Sequence, residues 1–452
     1  MKHALNSPHS TTLPTTPPSG LTAGLDWAKD DHVVCVVDYV TGEVKDRFEI
    51  SHTAQGLNSL VQRLAALGCS EVAIERPDGP VIDALLSAAV TVVMISPNQV
   101  KNLRSRYGSA GNKDDRFDAY VLADTLRTDR GRLRILVPDS PDTRTLRATC
   151  RARKDLVNTR VAIANQLRAH LQIAFPAGAL LFKEIDSAIS LTFLTRFTHQ
   201  GLADWLSPKR LGHWMHAAGY SGRKTPEELY AKLTNAPRGL TGHDGLARAH
   251  ITLAYLATLR VLREQTATLE QQISQQLAAH NDNLIFTSLP RSGTVRAARL
   301  LSEIGDCRAR FPSPESLSCL AGVAPSTRAS GKSHRVGFRW ACDKQLRDAV
   351  TDFAGDSRRA NAWADKLYRD ARDRGHDHAH AVRILSRAWL YVIWHCWQDE
   401  VPYDPDKHHA LQRVLTAQAE RAGAGCSLLP ATVFAARDGD EALDAALHTL
   451  TG

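Results

Sequence analysis

Four acidic residues, Asp26, Glu75, Asp115 and Asp118, stand at positions from which their carboxylates could share a metal site. Asp26 and Glu75 each close a short apolar run that is typical of a buried strand. Asp115 and Asp118 begin a helical stretch three residues apart, so both side chains would project from one face of the helix. Carboxylates gathered in this way can hold a pair of Mg²⁺ ions, which stabilise the attacking and leaving oxygens of a phosphodiester. The pattern therefore predicts two-metal phosphoryl-transfer chemistry.

Each of these acidic residues, taken alone, has a simpler explanation. A single carboxylate after a strand is usually solvated, Asp115 could cap its helix, and Asp118 could interact favourably with the helix dipole. The order of the four is much harder to obtain by chance, because it combines a strand-end Asp, a hairpin, a strand-end Glu and a later Asp-x-x-Asp helix. The prediction rests on this order and not on any single residue.

Residues 21–138 alternate short apolar runs with helical stretches, and these elements would position the four carboxylates. The pattern predicts five strands, at about 22–27, 32–39, 44–50, 71–75 and 91–95. It predicts three helices, at about 54–67, 79–89 and 115–127. Thr41-Gly42 between the second and third strands is typical of a hairpin turn. An antiparallel meander followed by β-α-β crossovers is the ribonuclease H-like order, so we expect an α/β domain of that class.

Five segments of the chain also resemble a known protein family, in the order of that family. They are Gly24-Leu25-Asp26, Ala73-Ile74-Glu75, residues 112–119 (Asn-Lys-Asp-Asp-Arg-Phe-Asp-Ala), residues 289–306 and residues 320–331. Together they resemble the DEDD transposases of bacterial insertion sequences, which are related to the Piv/MooV DNA invertases. The resemblance covers about residues 21–175 and 284–405. It does not extend to the first twenty residues, to about 180–245 or to the tail after 409.

The resemblance implies a RuvC-like N-terminal domain and a C-terminal domain that carries a catalytic serine. Ser330 matches the family serine that attacks DNA and forms a transient phosphoserine link. From the residues alone, Ser330-Gly331 is only a turn dipeptide, and Ser326 and Ser333 lie close by as alternatives. The serine would come from the C-terminal domain of the same chain or of another subunit.

Cations surround this serine in the sequence. Arg328, Lys332 and Arg335 are expected to stabilise a pentacovalent phosphorus and to hold the nucleic-acid backbone. A second basic segment matches the helix-hairpin-helix-like part of the family, whose turn usually reads Pro-Gly-x-Gly. Here the turn reads Pro290-Arg291-Ser292-Gly293, so an arginine stands where the family has a glycine.

Two long helices are predicted in the middle of the chain, at about 142–174 and 246–280. They would form either an antiparallel helical hairpin or an oligomerising coiled coil, with about 180–245 as a folded insertion at the tip. The first helix begins with an almost purely cationic face. A charged helix face is usually only solvated, but this one favours a nucleic-acid contact through Arg147, Arg151 and Lys154.

The predicted architecture is a RuvC-like α/β domain, a long helical hairpin or coiled coil, and an all-α C-terminal domain. The parts are a disordered leader at 1–20, the catalytic domain at 21–140, the helical region at 141–283, the C-terminal transposase domain at 284–405 and a tail at 406–452.

Composition agrees with a nucleic-acid partner. The net charge of +8 and the pI near 9.1 favour binding to an anionic molecule. No apolar run reaches the roughly eighteen residues that would indicate a membrane span. The Ser-, Thr- and Pro-rich leader lacks the apolar core of a signal peptide. The eight scattered cysteines are typical of reduced thiols in a cytoplasmic protein.

These observations together predict a transposase or site-specific DNA recombinase that uses Mg²⁺, or Mn²⁺, and acts on DNA as a homo-oligomer, a dimer or a tetramer. The resemblance adds a structured guide RNA from the element as a further partner. One alternative is a junction-resolving nuclease that uses the same carboxylates with water as the nucleophile. Another is a non-catalytic nucleic-acid-binding regulator, although a degenerate copy should lose its carboxylates first.

Overall fold

The computed structural model describes residues 11–106, 114–331 and 333–421. The chain divides into two compact units. The first unit runs to Asp139 and also includes Cys307–Pro312, and the second unit contains the remainder. None of the helices in these ranges combines the length and the hydropathy that a membrane span requires. The seven cysteines within these ranges are free thiols.

A five-stranded mixed sheet forms the centre of the first unit. Its strands are β1 (Leu21–Trp27), β2 (Asp31–Asp38), β3 (Val44–Ser51), β4 (Glu71–Ile74) and β5 (Thr91–Met94). The spatial order is β3-β2-β1-β4-β5. The first three strands are antiparallel neighbours, whereas β4 is parallel to β1 and β5 is parallel to β4. This is the meander with parallel crossovers that the sequence predicts.

Four helices accompany the sheet. They are α1 (Ala54–Leu67), α2 (Pro80–Ser87), α3 (Pro97–Arg104) and α4 (Asp115–Thr128). The apolar pattern does not predict α3, because Val100 is its only buried residue. Its start is nevertheless marked by a capping box between Ser96 and Gln99 and by Pro97 in the first turn.

Helices cover both faces of this sheet, and successive residues of a strand point to opposite faces. On one face, Ala23 and Leu25 of β1 join a buried cluster with Leu60 and Leu64 of α1. On the other face, the neighbouring strands pack against α4, where Ala119 is fully buried. The sheet therefore has a core on each side, and α4 is held directly against it.

The segment before β1 is ordered where the structure describes it. The Ile135 N–H donates to the Thr11 carbonyl at 2.8 Å, and the Arg130 Nε donates to the Pro14 carbonyl at 3.0 Å. Arg130 is itself held by Glu71 in a buried two-point ion pair, at 2.6 and 2.9 Å. Residues 11–20, which belong to the predicted disordered leader, therefore have backbone groups with partners in the first unit. Residues 1–10 lie outside the described ranges.

Two long helices, α5 (Pro141–Ala174) and the later Gly242–Ala279, lie antiparallel in the second unit. Thr143 meets His280 at one end, Arg153 pairs with Glu270 further along, and His170 meets the Arg248 carbonyl at the other end. The structure therefore shows a helical hairpin within one chain.

Five shorter helices connect the two arms of this hairpin. They are α6 (Pro176–Leu180), α7 (Ala188–Arg196), α8 (Gln200–Ala203), α9 (Pro208–Ala217) and α10 (Pro226–Asn235), which makes Gly242–Ala279 helix α11. Phe175, Phe193 and Leu211 are fully buried and share one apolar cluster with Leu167 and Leu171 of α5. The insertion thus has a core that is continuous with the tip of the hairpin.

The remaining elements of the second unit are mostly helical. They are α12 (Asn283–Thr287), α13 (Gly293–Ile304), α14 (Pro314–Leu320), β6 (Ser326–Ser330), β7 (Ser333–Gly337), α15 (Lys344–Ser357), α16 (Ala362–Asp373), α17 (His378–Gln398) and α18 (His409–Arg421). Trp389 and Trp397 of α17 are fully buried, and Trp389 donates to Ser357 at 2.8 Å.

Two predictions for this region are wrong. The C-terminal domain is not all-α, because β6 and β7 form an antiparallel hairpin. Its strands are polar and almost entirely exposed, so they lack the apolar alternation by which strands are recognised. The packed domain also continues past residue 405, since Ala410 and Leu411 of α18 are buried. Residues 422–452 lie outside the described ranges.

Candidate active site

The sheet places Asp26 and Glu75 on neighbouring strands. In the parallel pairing of β1 with β4, Leu25 is opposite Ile74. Asp26 directly follows Leu25, and Glu75 directly follows Ile74. Both acidic side chains are half-buried. Parallel strands bring their carboxyl ends to the same edge of the sheet, so the topology places residues 26 and 75 at one edge.

Helix α4 brings the other two carboxylates to this edge. Its N-cap is Asp114, whose side chain accepts from the Arg116 N–H at 3.1 Å. The alternative explanation that Asp115 caps the helix is therefore wrong, and Asp115 and Asp118 both lie in the first turn. Thr22 of β1 donates to the Ala123 carbonyl at 3.0 Å and helps to fix the helix on the sheet.

Three of the four predicted carboxylates converge. Oxygens of Asp26, Asp115 and Asp118 all lie within 4.8 Å of one another. Glu75 does not belong to this tight group, although it follows the strand next to Asp26. Within the described residues this is the one group of three or more acidic, histidine or cysteine side chains with such spacing.

Asp118 is the most deeply placed of the three, with 2% of its surface exposed. Its Oδ2 accepts from Arg104 Nη2 at 2.5 Å. Its Oδ1 is buried and has no hydrogen-bond partner within the described residues. Burying a carboxylate oxygen without a partner is costly, so this atom is well suited to coordinate a cation.

The carboxylate oxygens of this group are suitable ligands for a hard divalent metal ion. Mg²⁺ and Mn²⁺ prefer carboxylate oxygens and usually bind between one or two protein carboxylates and the substrate phosphate. Asp26, Asp115 and Asp118 supply such oxygens at close spacing, and Asp118 also has an Oδ1 without a hydrogen-bond partner in the described chain.

Sequence reasoning missed two cations in this region. Arg104, at the end of α3, orients Asp118, and the capping box at the start of α3 was the signal that could have revealed this helix. Arg76 follows Glu75, and its guanidinium carbon lies 4.2 Å from the centre of the Trp27 ring. Trp27 in turn follows Asp26, so this cation–π pair stands beside the carboxylate edge.

Ser330 lies in the second unit, at the end of β6. It is opposite Ser333 of β7, and Gly331, which closes the tight turn, has φ +55°, a left-handed conformation that favours glycine. The side chain of Ser330 is exposed. The turn assigned to Ser330-Gly331 from the sequence is thus present, and it presents the hydroxyl at the tip of a hairpin.

Two arginines share a hairpin face with Ser330. Arg328 is directly opposite Arg335, two residues from the Ser330–Ser333 pair, so all four side chains are on the same face. Neither arginine forms an ion pair within the described part of the chain, and like charges directly opposite each other destabilise a hairpin. A phosphate placed between them would relieve this repulsion. Lys332, the third predicted cation, lies outside the described residues.

The three predicted cations of α5 have partners within the second unit. Arg147 donates to the Ser302 carbonyl at 2.6 Å, and Arg151 pairs with the buried carboxylate of Glu303 at 2.7 Å. Lys154 pairs with Asp348 at 2.9 Å. Each of these three side chains is thus engaged within the second unit, and the nucleic-acid contact through them stays a prediction.

Asp348 shows how firmly this network is held. Burial alone would raise the pKa of Asp348, but the hydrogen bonds from Lys154 and Arg299 outweigh it and hold this pKa below its ordinary value. The carboxylate is therefore charged at neutral pH and offsets the charge of Lys154 inside the fold.

Arg291 occupies the position of the missing glycine before α13. Its φ is +57°, and that of Gly293 is +56°. The chain thus keeps the left-handed backbone that a glycine would adopt easily. An ion pair from Arg291 to Asp356, at 2.9 Å, holds the side chain in place. Arg296 also reaches Asp356, at 2.8 Å.

Comparison with known proteins agrees with this arrangement. Residues 23–176 match a family model described as a transposase and named for DEDD transposases of the IS110 type. Residues 283–369 match a model described as the transposase IS116/IS110/IS902 family. The first match contains all four predicted carboxylates, and the second contains Ser330.

Similar proteins span nearly the same length. The chain is 31% identical over 411 residues to the mini-circle putative transposase for IS117 of Streptomyces coelicolor, covering 86% of this chain and 96% of the relative. It is 26% identical over 394 residues to the insertion element IS110 uncharacterized 43.6 kDa protein of the same organism. This match covers 85% of the present chain and 96% of that relative. It is 25% identical over 399 residues to the insertion element IS900 uncharacterized 42 kDa protein of Mycobacterium paratuberculosis. This match covers 85% of the present chain and 97% of that relative.

Proposed function

The chain belongs to the IS110 family of transposases, and from this premise we propose how it cuts and rejoins DNA. Asp26, Glu75, Asp115 and Asp118 hold divalent metal, and Ser330 is the nucleophile. The main support for the proposal is the convergence of oxygens of Asp26, Asp115 and Asp118 within 4.8 Å of one another. Buried Asp118 also has an Oδ1 with no hydrogen-bond partner in the described chain.

The four carboxylates would hold two Mg²⁺ ions, or Mn²⁺ in their place. When bound, the ions supply positive charge for the reacting phosphodiester oxygens and make the nucleophilic hydroxyl more acidic. Glu75 follows the strand next to Asp26, so it would complete the set once metal draws the carboxylates together. Arg104 keeps Asp118 oriented toward the other two carboxylates.

Ser330 would attack the phosphorus of one DNA strand. A bond forms between the serine Oγ and phosphorus, while the bond from phosphorus to one deoxyribose oxygen breaks. The serine proton is released to water, and the departing deoxyribose oxygen takes up a proton. Arg328 and Arg335 flank the phosphate and stabilise the additional negative charge of the pentacovalent state.

Rejoining follows the same path in reverse on a different strand end. A deoxyribose hydroxyl attacks the phosphoserine, the Oγ–phosphorus bond breaks, and Ser330 recovers its hydroxyl. The energy of the phosphodiester is conserved in the phosphoserine, so no external energy source is needed.

The proposal also includes assembly and a guide. A homo-oligomer would let the serine act with the carboxylates of its own or of another subunit. A structured RNA partner follows from the resemblance to the family. The unneutralised guanidiniums of the β6–β7 hairpin suit RNA and DNA phosphates equally.

Covalent trapping on DNA that carries the element ends tests this function. In Mg²⁺, denaturing electrophoresis should show a protein–DNA adduct for the wild type, and no adduct for Ser330→Ala or for Glu75→Ala. Ser333→Ala is the matched control, because Ser333 is directly opposite Ser330 on the same face. This control should still form the adduct.

Two outcomes would contradict the proposal in different ways. An adduct that persists in Ser330→Ala would show that another residue is the nucleophile. Strand cutting without any adduct, and unaffected by Ser330→Ala, would instead support the nuclease that uses water.

A further inference from the structure

An aromatic pair follows directly after the hairpin that carries Ser330. Trp340 is three residues past the end of β7, and 82% of its surface is exposed. The exposed indole leaves the face of its ring open to a planar partner. Phe338 lies beside it, with ring centres 4.8 Å apart and the rings nearly perpendicular.

Phe338 is anchored by two guanidiniums. The guanidinium carbons of Arg347 and Arg383 lie 4.5 and 4.9 Å from its ring centre. Arg347 also donates to the Arg339 carbonyl at 2.6 Å, which fixes the segment between the two aromatic residues. Phe338 and the backbone before Trp340 are held in this way, so the segment that presents Trp340 is already ordered before binding.

A groove of about 670 Å³ opens beside Phe338 within the second unit. Arg347, Arg358 and Arg383 line it, and none of the three forms an ion pair within the described residues. Arg358 stacks on Tyr368 at 4.4 Å and donates to the Gly355 carbonyl at 2.9 Å.

The acidic residues of the groove are already neutralised. Asp348, Asp352 and Asp356 of α15 also line it. Each pairs with a different cation, namely Asp348 with Lys154, Asp352 with Arg296, and Asp356 with Arg291. The surplus positive charge of the groove wall therefore comes from arginines that form no ion pair within the described ranges, which suits a phosphate.

We propose that Trp340 and this groove bind an unpaired nucleotide of the nucleic acid held at the Ser330 hairpin. The base stacks on the exposed Trp340 ring, and the adjoining phosphate lies against Arg347 and Arg383. Stacking between an aromatic side chain and a base tolerates any sequence, because every base offers a π face. The inference rests on the proposed function, since it places the nucleotide next to the strand that Ser330 would attack.

Binding of single strands without metal tests this site independently of cleavage. The full-length Ser330→Ala protein is titrated with a fluorescein-labelled oligodeoxythymidine of about 15 nucleotides, long enough for typical single-strand sites. Trp340→Ala should weaken binding by roughly 5- to 150-fold, which corresponds to about 1–3 kcal/mol of stacking. Trp340→Phe should keep most of the affinity.

The matched control is Trp205→Ala. Trp205 is 56% exposed and, like the Phe338 ring, is covered by a guanidinium, with Arg210 at 4.4 Å. It lies in the insertion, far along the chain from the hairpin, so its removal should leave single-strand affinity unchanged. A blunt duplex should bind Trp340→Ala as it binds the parent protein, because paired bases cannot stack on the ring.

The same titration with oligouridine separates the two sources of an unpaired nucleotide. A loss confined to the DNA strand assigns the site to the substrate, and a loss confined to RNA assigns it to a guide. Equal affinity of Trp340→Ala and its parent for both single strands, or an equal loss for single strand and duplex, would overturn the inference. Single-strand binding that depends on Trp340, in a protein that never forms a Ser330 adduct, would overturn only the proposed function.

Discussion

Gly24 of β1 lies directly against the backbone of Ala119 of α4. A Cβ at residue 24 would be 2.1 Å from the Ala119 carbonyl oxygen and 2.4 Å from the Ala123 nitrogen. Only a glycine allows this approach. The approach carries the first turn of α4, with Asp115 and Asp118, to the strand end where Asp26 stands.

Gly24→Ala should therefore damage both stability and catalysis. The added methyl group meets backbone atoms that cannot rotate away, so we expect a loss of about 3 kcal/mol or more in the free energy of unfolding. Displacement of α4 should also abolish strand cleavage in Mg²⁺. Urea unfolding and a cleavage assay measure the two effects.

Gly131→Ala is the control for this substitution. Gly131 is also in the first unit, its added Cβ would meet open space, and its φ is not in the left-handed region. Its unfolding free energy should change by less than about 1 kcal/mol, with cleavage unaffected. A Gly24→Ala protein as stable and active as this control would show that the close contact has no role.

Loss of a single carboxylate should separate cleavage from binding. Asp26→Asn and Asp118→Asn keep the size of the side chain but remove a metal ligand, so strand cleavage should fall below detection while DNA affinity is retained. Asp114→Ser is the matched control, since serine can still cap α4 and Asp114 is not in the carboxylate group. Cleavage by either Asn variant in Mg²⁺ would remove the metal site from the proposal.

Arg104 should affect catalysis through Asp118. Arg104→Met removes the hydrogen bond to Asp118 Oδ2, so the carboxylate loses its fixed orientation. Loss of such a supporting contact typically weakens metal binding by about 10- to 100-fold. The Mg²⁺ concentration for half-maximal cleavage should rise accordingly, and excess Mg²⁺ should restore the rate. Arg106→Met, which loses a pair with Asp129 instead, should leave the Mg²⁺ requirement unchanged.

Arg151 should matter for stability and little for nucleic-acid binding. Arg151→Glu places a second carboxylate beside buried Glu303, and an unsatisfied buried acceptor alone costs about 1–3 kcal/mol. The double exchange Arg151→Glu with Glu303→Arg should recover most of that loss. The salt dependence of DNA binding should stay constant, whereas a slope lower by about one unit would restore Arg151 as a phosphate contact.

Arg291 should show the backbone strain of its left-handed conformation. Arg291→Gly and Arg291→Ala both lose the ion pair to Asp356, so their difference reports the backbone alone. We expect the glycine variant to be more stable than the alanine variant by about 1 kcal/mol in urea unfolding.

Arg296 provides the matched comparison for this test. It pairs with the same Asp356 from within α13, where the backbone is helical. There the order should reverse, with alanine more stable than glycine by about 0.5–1 kcal/mol. If alanine were more stable than glycine at both positions, the backbone of Arg291 would not be strained.

Much of the first unit could be predicted from its residues because its signals are local. Apolar runs between turn residues identify β1 to β5, and the helical period identifies α1, α2 and α4. The β6–β7 hairpin and α3 are not predicted from the sequence, for the same reason. The strands of the hairpin are exposed and α3 has one buried residue, so the apolar periodicity that reveals an element is too weak in both.

The sequence by itself determined which residues could do the chemistry: the order of four carboxylates, the serine before a glycine and the cations around it. Only the tertiary structure decided which of them meet and which charges remain available. It brought Asp115 and Asp118 to Asp26 through the close contact at Gly24, and it matched the cations of α5 with Ser302, Glu303 and Asp348. The charged residues can be read from the sequence, but their partners are more than a hundred residues away. Only folding brings the two together.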